Sequence, residues 1–394
     1  MCMENDVRLH SLAGRYGTPL YVLDLDAVLR QLAVLRAAFP SATFRYAVKA
    51  NANRHLLAWL AAQGVGCEVI TEGELVRAVT AGVPGSSILV GGPGQRAAMR
   101  SRAREVGVGH VSLDGPEQWA AWADALPPNL RFFVRVNPSL DPATHPHLST
   151  GSASAKFGVP PREALALARA VVAAGRFAGF HVHVGSMIPD ASAYGGIVAI
   201  LDALMDAVPE AQDVNLGGGF GVPSFDFGAL AELLNPWLAA RGARLMLEPG
   251  RVLVADAGIL LTRVLWRKDP GEDVPGARTH WICDAGMAQL LRPALYGAEH
   301  PIRVVGAASG AVGTGDVDGP LCENADRLGS DRTLAAAAGD LLAVESAGAY
   351  GLAMASNYAS DVLPAEVVLA GGVVVGHRPR QSVEALLDLE RGPQ

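Results

Sequence analysis

Cysteines, basic runs and long apolar stretches are all scarce in this sequence, and each scarcity removes a class of protein. Only four cysteines occur, Cys2, Cys67, Cys283 and Cys322, far apart and with no C-x-x-C pair. Neither a metal site nor a redox couple is indicated, and reduced thiols are expected. No stretch reaches the roughly 18 apolar residues that cross a bilayer, and residues 1–10 carry no basic segment followed by an apolar run. A cytoplasmic protein with no membrane partner is expected. Lys and Arg form no block, and the formal net charge is −7, which argues against nucleic acid as a partner. What is present is a chain of 394 residues, half of them hydrophobic. That length predicts two domains with a large core, and a small-molecule partner.

Short β-type runs recur at 44–50, 66–70, 87–92, 110–114, 131–137, 177–184, 213–219 and 244–250. Between them lie Ala/Leu-rich stretches, such as 54–63, 72–81 and 162–174, with apolar residues at helical spacing. Parallel strands joined by crossover helices are the pattern this predicts, and eight of them close a (β/α)8 barrel of TIM type, the alternative being an open doubly wound sheet. Beyond about residue 258 the texture changes to β-rich runs at 259–266, 280–284, 301–305, 340–346 and 366–369, broken by Gly and Pro. A second, largely antiparallel β-domain is expected there. The strand-like run 19–24 is a candidate to pair with it. The expected division is therefore a barrel over 27–257 and a discontinuous β-domain over 1–26 and 258–394. The Ala/Gly-rich stretch 306–319 reads as a loop.

Barrel enzymes gather their reactive groups at the C-terminal ends of the strands. Those ends carry Lys49, Glu68, Gly91, Asp114, Asn137, His183 with Ser186, Gly217 to Gly219, and Glu248 with Arg251. An amine, an imidazole, a hydroxyl, a glycine loop and a carboxylate are the parts that a phosphorylated aldehyde cofactor requires. Lys49 ends the run Tyr46-Ala-Val-Lys inside an expected apolar strand, where an ammonium is costly unless paired or used. Desolvation favours the neutral amine that attacks an aldehyde, whereas the plain alternative is a lysine snorkelling from a strand end. Gly217, Gly218 and Gly219 follow the seventh strand, where barrels build phosphate sites, although a glycine cluster also makes an ordinary tight turn. Glu248 opens Glu-Pro-Gly-Arg, and a carboxylate at a pyridine nitrogen keeps that nitrogen protonated; a structural ion pair between Glu248 and Arg251 is the alternative. His181 and His183 alternate on one strand and face the same way. They suit a metal less well than a ring stacked on the cofactor, since no second cluster accompanies them. His145 and His147 fall in a Pro-containing stretch and are expected in a loop.

Many ordered segments together spell a family. They include Gly17-Thr-Pro-Leu-Tyr, Tyr46-Ala-Val-Lys-Ala-Asn, Asp141-Pro-Ala-Thr-His-Pro-His-Leu-Ser-Thr-Gly, His183-Val-Gly-Ser, Gly217-Gly-Gly-Phe-Gly, Glu248-Pro-Gly-Arg, Arg292-Pro-Ala-Leu-Tyr, Gly319-Pro-Leu-Cys-Glu and Ser356-Asn-Tyr. Over nearly its full length the chain resembles the fold-type III pyridoxal-phosphate decarboxylases, and among them the diaminopimelate decarboxylases. The resemblance implies pyridoxal 5'-phosphate as cofactor, decarboxylation of meso-2,6-diaminopimelate to L-lysine, and a head-to-tail homodimer with active sites shared between subunits. It implies Lys49 as the Schiff-base lysine, His183 stacked on the ring and Glu248 at its nitrogen. Ser186, Gly217, Gly218, Gly219, Gly250, Arg251 and Tyr358 would surround the phosphate. Arg292 and Tyr296, with Arg251 and Tyr358 nearby, would hold the distal carboxylate of the substrate, and Glu323 its distal amine. Cys322 of the partner subunit would return the proton, a role that suits a group titrating near working pH; the plain alternative is a buried inert thiol.

Several positions depart from the family pattern: Glu68 for Asp, Thr71 for Ser, Gln95 for a basic residue, Asn324 and Ala325 for Ser-Gly, and Ala359 and Asp361 for Asn and Arg. Three other readings stand beside decarboxylation of diaminopimelate. One is a related decarboxylase for another carboxylated amino acid, in siderophore or other secondary metabolism. A second is a non-catalytic homologue, against which Lys49, Glu248 and Cys322 together speak. A third is a racemase, which usually avoids a carboxylate at the pyridine nitrogen.

Overall fold

The computed structural model of the chain describes residues 3–139, 155–270, 278–388 and 390. His145 and His147 lie outside the described residues. Two compact units divide the chain, one of residues 29–253 and one of residues 1–28 with 254–394.

In the second unit the strand β1 (Leu20–Asp24) precedes the barrel in sequence. The barrel strands are β2 (Thr43–Ala47), β3 (Gly66–Val69), β4 (Ile88–Val90), β5 (His110–Leu113), β6 (Arg131–Arg135), β7 (Phe177–His181), β8 (Asp213–Asn215) and β9 (Arg244–Leu247). All eight pair in parallel in chain order, and β2 pairs with β9 to close the barrel, Phe44 opposite Leu247. Strands covered on both faces are expected to be apolar throughout, and β4 is Ile-Leu-Val, every residue buried. Leu89, Phe133, Ala178 and Met246 form one buried cluster drawn from four strands.

Every barrel strand is shorter at its C-terminal end than the sequence pattern predicts, and the difference falls on the site. Lys49 is not inside a strand: β2 stops at Ala47, and Val48–Ala50 is a 3₁₀ turn. After β8 the backbone of Gly217 and Gly219 adopts φ of +63° and +88°, outside the strand region. Helix Glu72–Thr80 starts on a capping box: Thr71 Oγ1 accepts from Glu74 N at 3.2 Å, and Glu74 Oε2 accepts from Ile70 N at 2.7 Å.

The other unit is a mixed, mainly antiparallel sheet in the order β14-β13-β11-β10-β1-β16-β17, with β15 on β10 and β12 on β15. Its members are β10 (Gly258–Lys268), β11 (Thr279–Cys283), β12 (Ile302–Val304), β13 (Gly313–Asp318), β14 (Arg327–Leu334), β15 (Leu341–Val344), β16 (Ala365–Ala370) and β17 (Val373–Arg378). As its sequence suggests, β1 joins this sheet, antiparallel to β10 and parallel to β16. Helix Met3–Tyr16, which the sequence reading leaves out, packs Leu9, Leu12 and Ala13 against β1 and β16 side chains. The stretch 306–319 is not all loop, because β13 occupies its second half. Its glycines hide it: a Cβ on Gly315 would stand 1.9 Å from the Thr279 carbonyl, so the residue that reads as loop is the one the strand pairing needs.

Candidate active site

At the C-terminal mouth of the barrel lies a cavity of about 630 Å³, within the range of small-molecule sites. Lys49, Glu68, Arg135, His181, His183 and Glu248 line it, with Thr71, Gly73 and Phe157 among the apolar and small residues around them. Lys49 Nζ is 2.7 Å from Glu68 Oε2, and the Glu68 side chain is 4 % exposed. An ammonium held this way is neutralised without being hidden, since the Lys49 side chain keeps 35 % of its surface open.

Glu248 is buried, and burial pushes its carboxyl up to about 7, with the charge of Glu68 adding to the rise. Lys49, the Asn215 amide and Arg135 pull the other way. Asn215 Nδ2 donates to Glu248 Oε1 at 2.7 Å. His183 is held well below its usual range by burial first and then by the charges of Arg135 and Lys49, so it is a neutral imidazole. Its Nδ1 accepts from the Gly218 amide at 3.0 Å, which places its proton on Nε2. Arg135 is itself bound to Asp114 Oδ1 at 3.3 Å and lies over the Phe157 ring.

The loops behind the cavity interlock. A Cβ on Gly217 would come within 2.4 Å of His183 Nδ1, one on Gly218 within 2.3 Å of the Glu248 carbonyl, and one on Gly219 within 1.9 Å of the Gly185 carbonyl. These glycines thus let three loops meet. Gly250 packs on the turn that carries Lys49, where a Cβ would lie 3.1 Å from Ala47 Cβ. Arg251 Nη2 donates to Ser186 Oγ at 3.1 Å. The sequence reading offers bare glycine amides to a phosphate, and here two are taken: Gly217 N–H donates to Asn215 Oδ1 and Gly218 N–H to His183 Nδ1. A buried guanidinium beside a hydroxyl, an open amine and a buried carboxylate still fit the phosphate, the aldehyde and the ring nitrogen of pyridoxal phosphate.

Lys49, His183 and Glu248 therefore share one cavity, whereas Ser186, Gly217, Gly218, Gly219 and Gly250 stand in adjoining loops and Arg251 opens the short helix Arg251–Val254. Cys322, Glu323, Arg292, Tyr296 and Tyr358 belong to the sheet unit. There Arg292 Nη1 is 3.3 Å from Nε2 of the buried His300, whose Nδ1 is 2.9 Å from the Glu345 carbonyl. Cys322 is exposed rather than buried, which removes the reading of an inert core thiol. Asp326 ties down the loop that bears it, accepting from Leu321 N at 2.7 Å and from Met287 N at 2.5 Å. A cavity of about 470 Å³ in this unit is lined by Pro293, Asn324, Ala325 and Arg327 among others. Tyr358 is half exposed on a turn whose next two residues, Ala359 and Ser360, have φ of +56° and +58°.

Sequence reasoning passes over Asn215, Ser112 and His300, the polar residues that bond to Glu248, His181 and Arg292. The one signal for Asn215 is its place two residues before the glycine loop. Among the described residues no group of His, Cys, Asp and Glu is arranged to hold a metal ion, and no helix is long and apolar enough to cross a membrane.

Residues 25–255 match the family described as "Pyridoxal-dependent decarboxylase, pyridoxal binding domain". A diaminopimelate decarboxylase of Deinococcus radiodurans is 39 % identical over 365 residues, covering 92 % of this chain and 93 % of the relative. One from Aquifex aeolicus is 35 % identical over 401 residues, covering 97 % and 94 %. Among solved structures, diaminopimelate decarboxylase from Helicobacter pylori complexed with L-lysine superposes with a TM-score of 0.89 at 30 % identity, covering 97 % of this chain and 99 % of that one.

Proposed function

This chain belongs to the pyridoxal-dependent decarboxylases, and from that membership we propose that it converts meso-diaminopimelate to L-lysine, with Lys49 as the attachment point for pyridoxal phosphate. The observation that carries the reading is the cavity shared by Lys49, His183 and Glu248. The names of the relatives, and the lysine bound to one of them, support the substrate. In the reaction the bond from Cα to its carboxylate breaks, carbon dioxide leaves, and a proton takes its place. Pyridoxal phosphate, when bound, supplies the sink for the electron pair left behind.

The chain's own residues do the rest. Glu68 accepts a hydrogen bond from Lys49 Nζ, which holds the amine in place and balances its charge. Neutral His183, its Nδ1 fixed by the Gly218 amide, offers a ring face without adding charge to the cavity. Glu248 would hold a proton at the ring nitrogen, and Ser186 and Arg251, with the glycine loop, would bind phosphate oxygens, a role the family resemblance also gives to Tyr358. Arg292 and Tyr296 take the distal carboxylate of the substrate and Glu323 its distal amine. Cys322, exposed on its loop, gives the proton to Cα from the partner subunit of a homodimer.

A second reading, decarboxylation of another carboxylated amino acid, is favoured by Asn324 and Ala325, which replace the Ser-Gly of the family pattern and line the cavity beside the helix Arg292–Tyr296. Carbon dioxide release from meso-diaminopimelate, measured beside lysine, ornithine and arginine, separates the two. A strong preference for diaminopimelate is expected. Bound cofactor with no turnover of any of the four would overturn the substrate assignment and leave the decarboxylase class intact.

A further inference from the structure

A run of hydrogen bonds leads from the glycine loop to Glu248, and one group that can only donate fixes its direction. Gly217 N–H donates to Asn215 Oδ1 at 2.8 Å, so the other end of that amide is Nδ2, which donates to Glu248 Oε1 at 2.7 Å. Oε1 is therefore an acceptor. A proton on Glu248, when present, sits on Oε2. The same Oε1 is 3.7 Å from Nε2 of His181, an imidazole 4 % exposed whose Nδ1 is 2.6 Å from Ser112 Oγ. Nε2 of His181 makes no hydrogen bond among the described residues.

Two tautomers of neutral His181 are conceivable, and Oε1 selects between them. A lone pair on Nε2 would face a second acceptor in a buried site, a repulsive arrangement; a proton there is attracted to it. Ser112 then donates to Nδ1. Burial, followed by the charges of Arg135 and Lys49, keeps the ring neutral, and no acid other than Glu248 lies within ion-pair distance of it among the described residues.

We infer that Asn215 and His181, the latter oriented by Ser112, are positioning residues that reserve Oε1 of Glu248 as an acceptor and present Oε2, as a carboxylate oxygen, to the ring nitrogen of the cofactor. The inference rests on the proposed pairing of Glu248 with that nitrogen. Donors to Oε1 favour the charged carboxylate against the cost of burial, and a charged carboxylate keeps the proton on nitrogen.

The test is the nitrogen-15 chemical shift of the ring in holoenzyme loaded with [15N]pyridoxal phosphate, followed across neutral pH, together with the cofactor dissociation constant. Wild type is expected to stay in the pyridinium range. His181→Phe and Asn215→Leu should move the resonance towards unprotonated pyridine as pH rises and weaken cofactor binding about tenfold, by weakening the proposed charged hydrogen bond between Glu248 and the ring nitrogen. Ser112→Ala should move it the same way by less, and His181→Gln, whose amide can still donate, should restore most of the shift. If His181→Phe and Ser112→Ala bind cofactor with the wild-type shift at every pH while Glu248→Gln changes it, the positioning role is wrong and the Glu248 pairing survives. An unchanged shift in Glu248→Gln removes the pairing itself, and the inference with it.

Discussion

Lys49 can react with an aldehyde only after giving up a proton, and Glu68 at 2.7 Å is the group placed to stabilise the ammonium until then. Replacing Lys49 with Ala should abolish the visible absorbance of covalently held cofactor, a loss read directly in the spectrum of protein incubated with pyridoxal phosphate. Cys322→Ala should keep that absorbance and slow turnover about a hundredfold, the usual worth of a positioned proton donor; wild-type turnover would remove the residue from the reaction. Glu248 makes a different prediction, about pH. Its carboxyl is harder to ionise in the fold, where it titrates at about 7, than in the unfolded chain, where 4.5 is the ordinary value. The folded state binds more protons between those values, so this residue weakens the fold as pH rises through them, and the full cost is present above about 7. Cofactor-free Glu248→Gln should therefore melt above wild type at pH 8 by at least about 3 °C, the shift roughly 1 kcal/mol produces in a domain of this size. The gap should close towards acid pH. Residues of this kind were legible in the sequence where chemistry is unusual at a strand end, as for Lys49 and Glu248. Asn215 and His300 were not, because an amide or imidazole that serves another side chain looks like any buried polar residue.

At the level of the element, the strands were readable because their apolar runs alternate with helical spacing, but their ends were not. Hydropathy continues past Ala47 and Asn215 while the backbone leaves the ladder, since a buried loop that lines a site is as apolar as the strand before it. The opposite failure occurred at β13, where Gly315 satisfies a close pairing with β11 and Gly313 pairs with Leu334 of β14, yet both look like a loop. The turn after Tyr358 gives an element-level prediction. Ala359 and Ser360 both occupy the left-handed region, which costs a residue with a Cβ roughly 1–2 kcal/mol. Ala359→Asn, which places there a residue whose side chain tolerates the left-handed region, should raise stability by about 1 kcal/mol, visible as a higher urea midpoint. Its effect on the ratio of turnover between diaminopimelate and other amino acids would report whether this turn also helps to choose the substrate.

For the whole molecule, the proposed shared site predicts complementation. Lys49→Ala and Cys322→Ala chains, each inactive or slow alone, should regain activity when mixed under conditions that exchange subunits, because a hybrid dimer holds one site with both residues intact. Random exchange leaves about a quarter of all sites whole. No gain on mixing would mean that each subunit completes its own site. The division of the chain has a further consequence, for synthesis on the ribosome. The barrel is built from the continuous stretch 29–253, whereas β1 finds its neighbours β10 and β16 only in residues made after the barrel. Translation therefore delivers a complete barrel while the first strand of the other sheet is still waiting, its amides and carbonyls exposed to other chains for the time it takes to make the residues between. A nascent chain stalled where residue 257 has just emerged from the ribosome would carry a foldable barrel and an orphan strand.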